Sequence, residues 1–132
     1  MGVEYGIEPD VDPAEVAAVF RESGLRRPVD DPARIARMVR TANLIVCARL
    51  GGRLIGLARS VTDFSFCCYL SDLAVVREQQ RNGIGKELIR RTREAIGEES
   101  MLLLLSAPEA HAYYPHIGFE KAENAWILHR AR

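Results

Sequence analysis

No excess charge of either sign marks this 132-residue sequence: 18 basic side chains balance 18 acidic ones. The electrostatic footprint that nonspecific binding to nucleic acid or an anionic membrane requires is missing, so neither partner is expected. Long apolar runs are missing too. Residues 101–105 form a run as long as any, far short of the ~20 residues of a membrane span. The opening MGVEYGIEPD is acidic and holds no signal-type apolar region, so the chain is expected to stay in the cytoplasm. Cysteine is scarce. Cys47, Cys67 and Cys68 are odd in number, form no CxxC and fall in apolar, strand-like stretches, which suits reduced core thiols rather than a disulfide framework. Set beside them, His111 and His116 match no metal-ligand spacing, and no metal is expected.

What remains is an ordinary single domain, residues 1–132, without repeats or low-complexity tracts and long enough to stand without staples. Residues 3–7 read as a short strand. Pro13 opens a helix with Val16, Ala17 and Phe20 on one face and Gly24 at its end; Pro32 opens a second with Ile35, Met38 and Val39. Two aliphatic runs, 44–50 and 54–61, flank Gly51-Gly52, a dipeptide suited to a tight hairpin. A third strand is expected over 67–76, then a helix over 84–96 that buries Ile84, Leu88, Ile89, Ala95 and Ile96. Glu87 and Arg91 form an exposed pair on that helix, and Gly97 ends it. Residues 101–107 are an apolar strand candidate of the kind found mid-sheet. Pro108 opens a short helix through His116 that Gly118 stops, and a last strand is expected near 126–130. The order predicts an α/β fold: a single mixed sheet flanked by helices, with a parallel crossover from 67–76 through the long helix to 101–107.

The segment that carries chemistry lies between that third strand, ending Leu73-Ala74-Val75, and the long helix: Gln80-Arg81-Asn82-Gly83-Ile84-Gly85-Lys86. Unpaired N–H groups at a helix start form an anion site, and glycines let a phosphate approach without Cβ obstruction. Arg81 and Lys86 add positive charge there. Gln80 and Glu87 stand where the Walker loop needs glycine and serine or threonine, and Leu88 stands at the third glycine of the Rossmann fingerprint. Both of those loops are excluded. A second cluster, Ala110-His111-Ala112-Tyr113-Tyr114-Pro115-His116-Ile117-Gly118-Phe119, presents adjacent tyrosines to different faces, so one can pack while the other offers its hydroxyl.

With these residues the chain resembles the GNAT superfamily of acyl-CoA-dependent N-acyltransferases, over nearly its whole length. Residues 80–85 match that family's Gln/Arg-x-x-Gly-x-Gly/Ala pyrophosphate loop, with Val75 at its usual place five residues before the glutamine. Residues 110–119 match the later Ala-x-x-aromatic-Tyr-x-x-x-Gly-Phe signature. One departure is visible: Ala107 stands where many members carry an asparagine that helps hold the cofactor.

The resemblance implies acetyl-CoA as cosubstrate, held by Leu73, Ala74 and Val75 and by the loop from Gln80 to Lys86, between parallel strands that splay apart. It implies pairing of the pantetheine arm with backbone groups of Leu73 and Val75, and an N–H near Val75 that polarises the thioester carbonyl. An amine then attacks directly, and Tyr114 occupies the family's position for the acid that protonates the departing thiolate, with Tyr113 a packing residue or a wall near the sulfur. The base is left open among Tyr69, a water near Ser71 and Asp72; period-2 alternation puts Asp72 on the opposite face from Tyr69, Ser71, Leu73 and Val75 unless a bulge intervenes, and favours an internal anchor for it. A covalent route through Cys67 or Cys68 lacks an activating histidine beside them.

The acceptor, a small-molecule or peptide amine, is expected against Arg26, Arg27, Asp30, Asp31, Asp63, Phe64 and Phe66. Arginines facing it would suit a carboxylate-bearing amine, aspartates a polycation. A homodimer is compatible with the resemblance. The alternative reading is a CoA-binding sensor that has lost turnover.

Overall fold

One sheet runs in chain order through β1 (Glu4–Ile7), β2 (Leu44–Leu50), β3 (Arg53–Thr62), β4 (Cys67–Val75) and β5 (Met101–Leu104). All neighbours are antiparallel except β4 and β5. The computed structural model describes residues 2–110 and 113–132. Gly51 and Gly52 take φ of 57° and 84°, the positive values that a two-residue hairpin matched to the sheet twist demands.

Helices α1 (Pro13–Ser23) and α2 (Pro32–Thr41) start where the aspartate-proline pairs place them. Asp12 accepts from the Ala14 N–H at 2.9 Å and Asp31 from the Arg34 N–H at 3.1 Å, so each side chain satisfies a backbone donor that the first turn leaves open. The two helices pack together, and α1 rests on β3 and β4, while α3 (Ile84–Ile96) packs on β2, β3 and β4. Leu44 to Ala48 are buried without alternation, as a strand covered on both faces must be. On α3, Thr92 joins the buried apolar residues because its hydroxyl donates to the Leu88 carbonyl at 2.8 Å, and the Glu87–Arg91 pair forms at 2.7 Å.

Two features of β4 position the site. Its ladder with β5 runs from Cys67↔Met101 to Leu70↔Leu104 and stops; from Ser71 to Val75 the strand has no partner strand on that side among the described residues. The expected splay is this divergence. Against β3, the register shifts so that Arg59 faces Asp72 while Ser60 faces Leu70, which leaves Ser71 as the extra residue of a bulge. The alternation survives it: Cys68, Leu70, Asp72 and Ala74 are buried, and Tyr69, Ser71, Leu73 and Val75 are not.

Asp72 is 0% exposed and ion-paired to both Arg27 and Arg59. Arg27 also donates to the Ser71 carbonyl at 2.9 Å, and Arg59 to the Ser71 hydroxyl at 3.1 Å, so the bulge is fastened from two sides. Removing one member of a buried pair strands the other charge. Asp72→Ala is expected to cost about 3–5 kcal/mol, measured by urea unfolding.

Several expectations are corrected. β5 ends at Leu104, where β4 diverges, and is the outermost strand rather than a central one, since no later strand among the described residues pairs with its other edge. In place of one helix over 108–116 there is a 3-10 turn, Pro108–Ala110, and a short α4 (Tyr113–His116); His111 and Ala112 lie outside the described residues. Residues 126–130 pair with no strand. Trp126 and Leu128 are 95% and 99% exposed, and the tail ends beside α2, where Arg34 donates to the Arg132 carbonyl at 3.1 Å. Cys47 and Cys68 are core thiols, but Cys67 is exposed, since the alternation that buries its neighbour turns it outward.

Candidate active site

The open edge of β4 is defined by hydrogen-bond alternation. The Val76 N–H donates to the Ile55 carbonyl at 2.9 Å and Gly56 faces Val75. In an antiparallel ladder that register turns the backbone N–H and C=O of Val75, and of Leu73 two residues earlier, away from β3 and into the gap left by β5. Ala74 between them directs its backbone into the ladder instead. The Val75 carbonyl is taken by the Gln80 side-chain amide at 2.8 Å, and the same nitrogen reaches the Ser23 carbonyl at 3.3 Å. Gln80 thus braces the loop against β4 and the end of α1. The Leu73 N–H and C=O and the Val75 N–H remain aimed at the gap.

Beyond Val75 the chain makes a 3-10 turn, Arg77–Gln79, and enters α3 through two left-handed residues, Arg81 at φ 69° and Gly83 at φ 80°. For arginine that conformation is strained, a state that persists where the surrounding structure enforces it. The first helical bond is Glu87 N–H to the Gly83 carbonyl at 3.1 Å. The N–H groups of Ile84, Gly85 and Lys86 therefore precede the helical ladder and converge at the positive end of the helix dipole. The Ile84 side chain is buried in the core, which anchors this turn. Among the described residues the Asn82 side chain makes only a long 3.5 Å contact with Gln79. Arg81 and Lys86 form no ion pair among the described residues. A Cβ added at Gly85 would meet Leu73 Cδ2 and the Tyr113 hydroxyl, each at 3.9 Å; the glycine faces the cleft.

Edge and loop share one cleft of about 670 Å³. Leu70, Ser71, Leu73, Ala74 and Val75 form its floor in part, the loop closes one end, and Leu104, Leu105, Ala107, Tyr113, Tyr114 and Ile117 form the β5 side. Ser23, Gly24, Leu25 and Arg27 face them from the α1–α2 connection. Tyr114 is half-buried and packs edge-on against Tyr113 and Phe119, with ring centroids 5.3 and 5.4 Å apart. Burial first, and the neighbouring Tyr113 second, hold its hydroxyl above the usual tyrosine range; burial does the same for Tyr113. Both phenols are therefore neutral at pH 7 and able to donate a proton. The turn is fixed by the Phe119 N–H on the Tyr114 carbonyl at 3.1 Å, with Gly118 at φ 97° allowing the reversal.

The candidates for the base and the acceptor wall are distributed unevenly. Asp72 is an anchor beneath the cleft, locked between two guanidiniums. Ser71 lines the cleft with its hydroxyl held by Arg59, and Tyr69 is partly exposed near the start of β4. Of the wall residues, Arg27 alone lines the cleft. Arg26 and Asp30 are exposed, and Asp31 caps α2. Asp63 accepts from the N–H groups of Cys67, Ser65 and Phe66 at 3.0, 2.9 and 2.8 Å, which pull its carboxyl down to about 2. Phe64 and Phe66 are exposed beside it. Arg59 is the residue that sequence reasoning missed, although a cation inside an otherwise aliphatic strand is a signal. Tyr113 is a wall of the cleft as expected, but nothing in the sequence placed its hydroxyl near Gly85.

Among the described residues no group of histidine, cysteine, aspartate and glutamate could hold a metal ion, and no helix is long and apolar enough to cross a membrane. A family model described as an acetyltransferase (GNAT) domain matches residues 16–127. No curated protein matches the sequence. Solved structures do match its fold. A candidate acetyltransferase from Deinococcus radiodurans R1 is 26% identical, with a TM-score of 0.79 over 97% of this chain and 88% of its own. A GNAT-family acetyltransferase from Streptococcus pneumoniae TIGR4 is 20% identical, with a TM-score of 0.78 over 98% and 100%. The aminoglycoside N-acetyltransferase AAC(6')-Iy, solved in complex with CoA, is 15% identical, with a TM-score of 0.72 over 99% and 96%.

Proposed function

The chain belongs to the GNAT acetyltransferase family, and from that premise we propose that it moves an acetyl group from acetyl-CoA to a primary amine of a small molecule or peptide by direct attack in a ternary complex. The observation that carries the reading is the continuity of one cleft: an unpaired β4 edge leads directly into three free N–H groups at the start of α3.

The residues present fit that cosubstrate. Its phosphates are polyanionic, and the N–H groups of Ile84, Gly85 and Lys86, with Arg81 and Lys86 beside them, form an anion site that a Cβ at Gly85 would intrude upon. Its amide-bearing arm needs backbone partners, which Leu73 and Val75 offer. When bound, acetyl-CoA supplies the acyl group as an activated thioester. The Val75 N–H is the preorganised donor for charge developing on the carbonyl oxygen. The Tyr114 hydroxyl, kept neutral by its burial, holds the proton that the leaving sulfur takes.

Acetyl-CoA and CoA are each expected to stabilise the protein by about 2.7 kcal/mol at a hundredfold excess over their dissociation constants, read as a raised Tm. Thiol release with acetyl-CoA across a panel of amines then tests transfer. A thermal shift without turnover of any amine would identify a CoA-binding sensor, and no shift at millimolar cosubstrate would remove the functional reading altogether.

A further inference from the structure

We propose that the acceptor amine also carries a carboxylate, and that Arg27 receives it; the proposal rests on the acetyl-transfer reading above and narrows its substrate class.

Two guanidiniums, Arg27 and Arg59, share the single carboxylate of Asp72, and no other carboxylate pairs with either among the described residues. The cluster therefore keeps one positive charge in surplus. Arg59 lies buried behind the bulge, so the surplus is presented by Arg27, which lines the cleft and whose side chain is 26% exposed. Its Nε donates to Asp72, one terminal nitrogen to the Arg26 carbonyl at 2.7 Å and the other to the Ser71 carbonyl at 2.9 Å. A guanidinium has five N–H donors, so two remain for a ligand, on a group whose orientation is already set by three bonds. A guanidinium held in place presents its remaining donors in fixed directions, so a charge-assisted hydrogen bond to a carboxylate costs it little further ordering.

Arg27 is not a further contact for the phosphates. It is tied to β4 at Ser71 and Asp72, whereas the loop begins after Val75; four residues of strand separate Ser71 from Val75 by about 13 Å. The cleft thus has a cation at each end, Arg27 at one and Arg81 with Lys86 at the other, and no aspartate or glutamate among its described lining residues. A polycationic acceptor would meet only like charge there. An amine tethered to a carboxylate is drawn to the α1–α2 side of the cleft, where its carboxylate offsets the surplus charge of Arg27.

The test uses the purified protein with saturating acetyl-CoA and three matched series: ω-amino acids of increasing chain length, their carboxamides, and the diamines of the same length. For the best-fitting length, kcat/KM for the acid is expected to exceed that for its amide by about 10- to 100-fold, mainly through KM, with the diamine poorest. Arg27→Gln should collapse the acid-to-amide ratio toward one, and Arg27→Lys should restore it in part. Arg27→Gln leaves Asp72 and Arg59 as a balanced pair, so the fold is expected to persist, checked by circular dichroism. Amides or diamines turned over as well as the acids, or an acid-to-amide ratio unmoved in folded Arg27→Gln, overturns the carboxylate assignment while acetyl transfer stands. Absence of both a thermal shift with acetyl-CoA and turnover of every amine overturns the two together.

Discussion

Replacing Gly85 with valine is expected to weaken acetyl-CoA binding by about a hundredfold or more in a protein that still folds. Gly85 lies in the first turn of α3, and its φ is not in the left-handed region, so a side chain there strains no backbone. A Cβ would find Leu73 Cδ2 and the Tyr113 hydroxyl at 3.9 Å, ordinary contact distances. The two γ carbons of valine reach further into the same space, above the N–H groups of Ile84, Gly85 and Lys86. Hydrogen bonds to a charged partner contribute about 1.5–3 kcal/mol each, so losing two weakens binding by about a hundredfold or more. Titration calorimetry reads the affinity and thermal unfolding the fold. Unchanged affinity in folded Gly85→Val would put the phosphate site elsewhere.

Gly83 is the instructive contrast. Its φ of 80° makes any L side chain costly by about 1–2 kcal/mol, and a Cβ there would meet nothing within 4 Å. A substitution at Gly83 therefore mixes lost stability with lost affinity, whereas one at Gly85 reports the ligand. The same loop carries Arg81 in a left-handed conformation, so one turn combines strain, free donors and unpaired cations. Each is unfavourable for an isolated fold and suited to receiving a polyanion.

Local signals carried most of the architecture. Asp12-Pro13 and Asp31-Pro32 start their helices by capping chemistry, Gly51-Gly52 turns the hairpin by its positive φ, and the apolar spacing from Ile84 to Ile96 marks the buried face of α3. The strand alternation that set Asp72 apart from Ser71 and Leu73 holds as well. These features depend on neighbours within a few residues, which is why spacing reveals them. The buried charge cluster does not: Arg27 and Asp72 are 45 residues apart and meet only because the α1–α2 connection folds against the bulge in β4. The early end of β5 was hidden for the opposite reason, since its apolar run continues to Leu105 while pairing stops with the divergence of β4. An apolar segment announces burial or an edge equally well, and only the sheet decides between them.

The proposed mechanism gives the two tyrosines of α4 different tasks, and on it Tyr114→Phe is expected to lower kcat by about a hundredfold, the low end of the 10²–10⁴ typical of general acid help, while acetyl-CoA affinity stays near that of the native protein. Phenylalanine keeps the ring that packs edge-on against Tyr113 and Phe119, so the fold and the wall of the cleft persist and only the hydroxyl is lost. Burial and Tyr113 raise the Tyr114 pKa, which keeps the phenol protonated at neutral pH, as the proposed acid must be. The activity that depends on this proton should therefore extend through neutral pH and fall only on the alkaline side, above the ordinary tyrosine value, as the phenol ionises. Water can replace a phenol in part, and acyl donors with more acidic leaving thiols need less protonation, so the deficit should shrink along a series of such donors. Tyr113→Phe should behave differently. Its hydroxyl lies near Gly85 rather than among the aromatic rings, so its loss should raise the KM for acetyl-CoA about tenfold with little change in kcat. Steady-state kinetics of both variants across pH separate the effects. Native turnover in Tyr114→Phe at every pH would make Tyr114 a packing residue and leave solvent to protonate the thiolate.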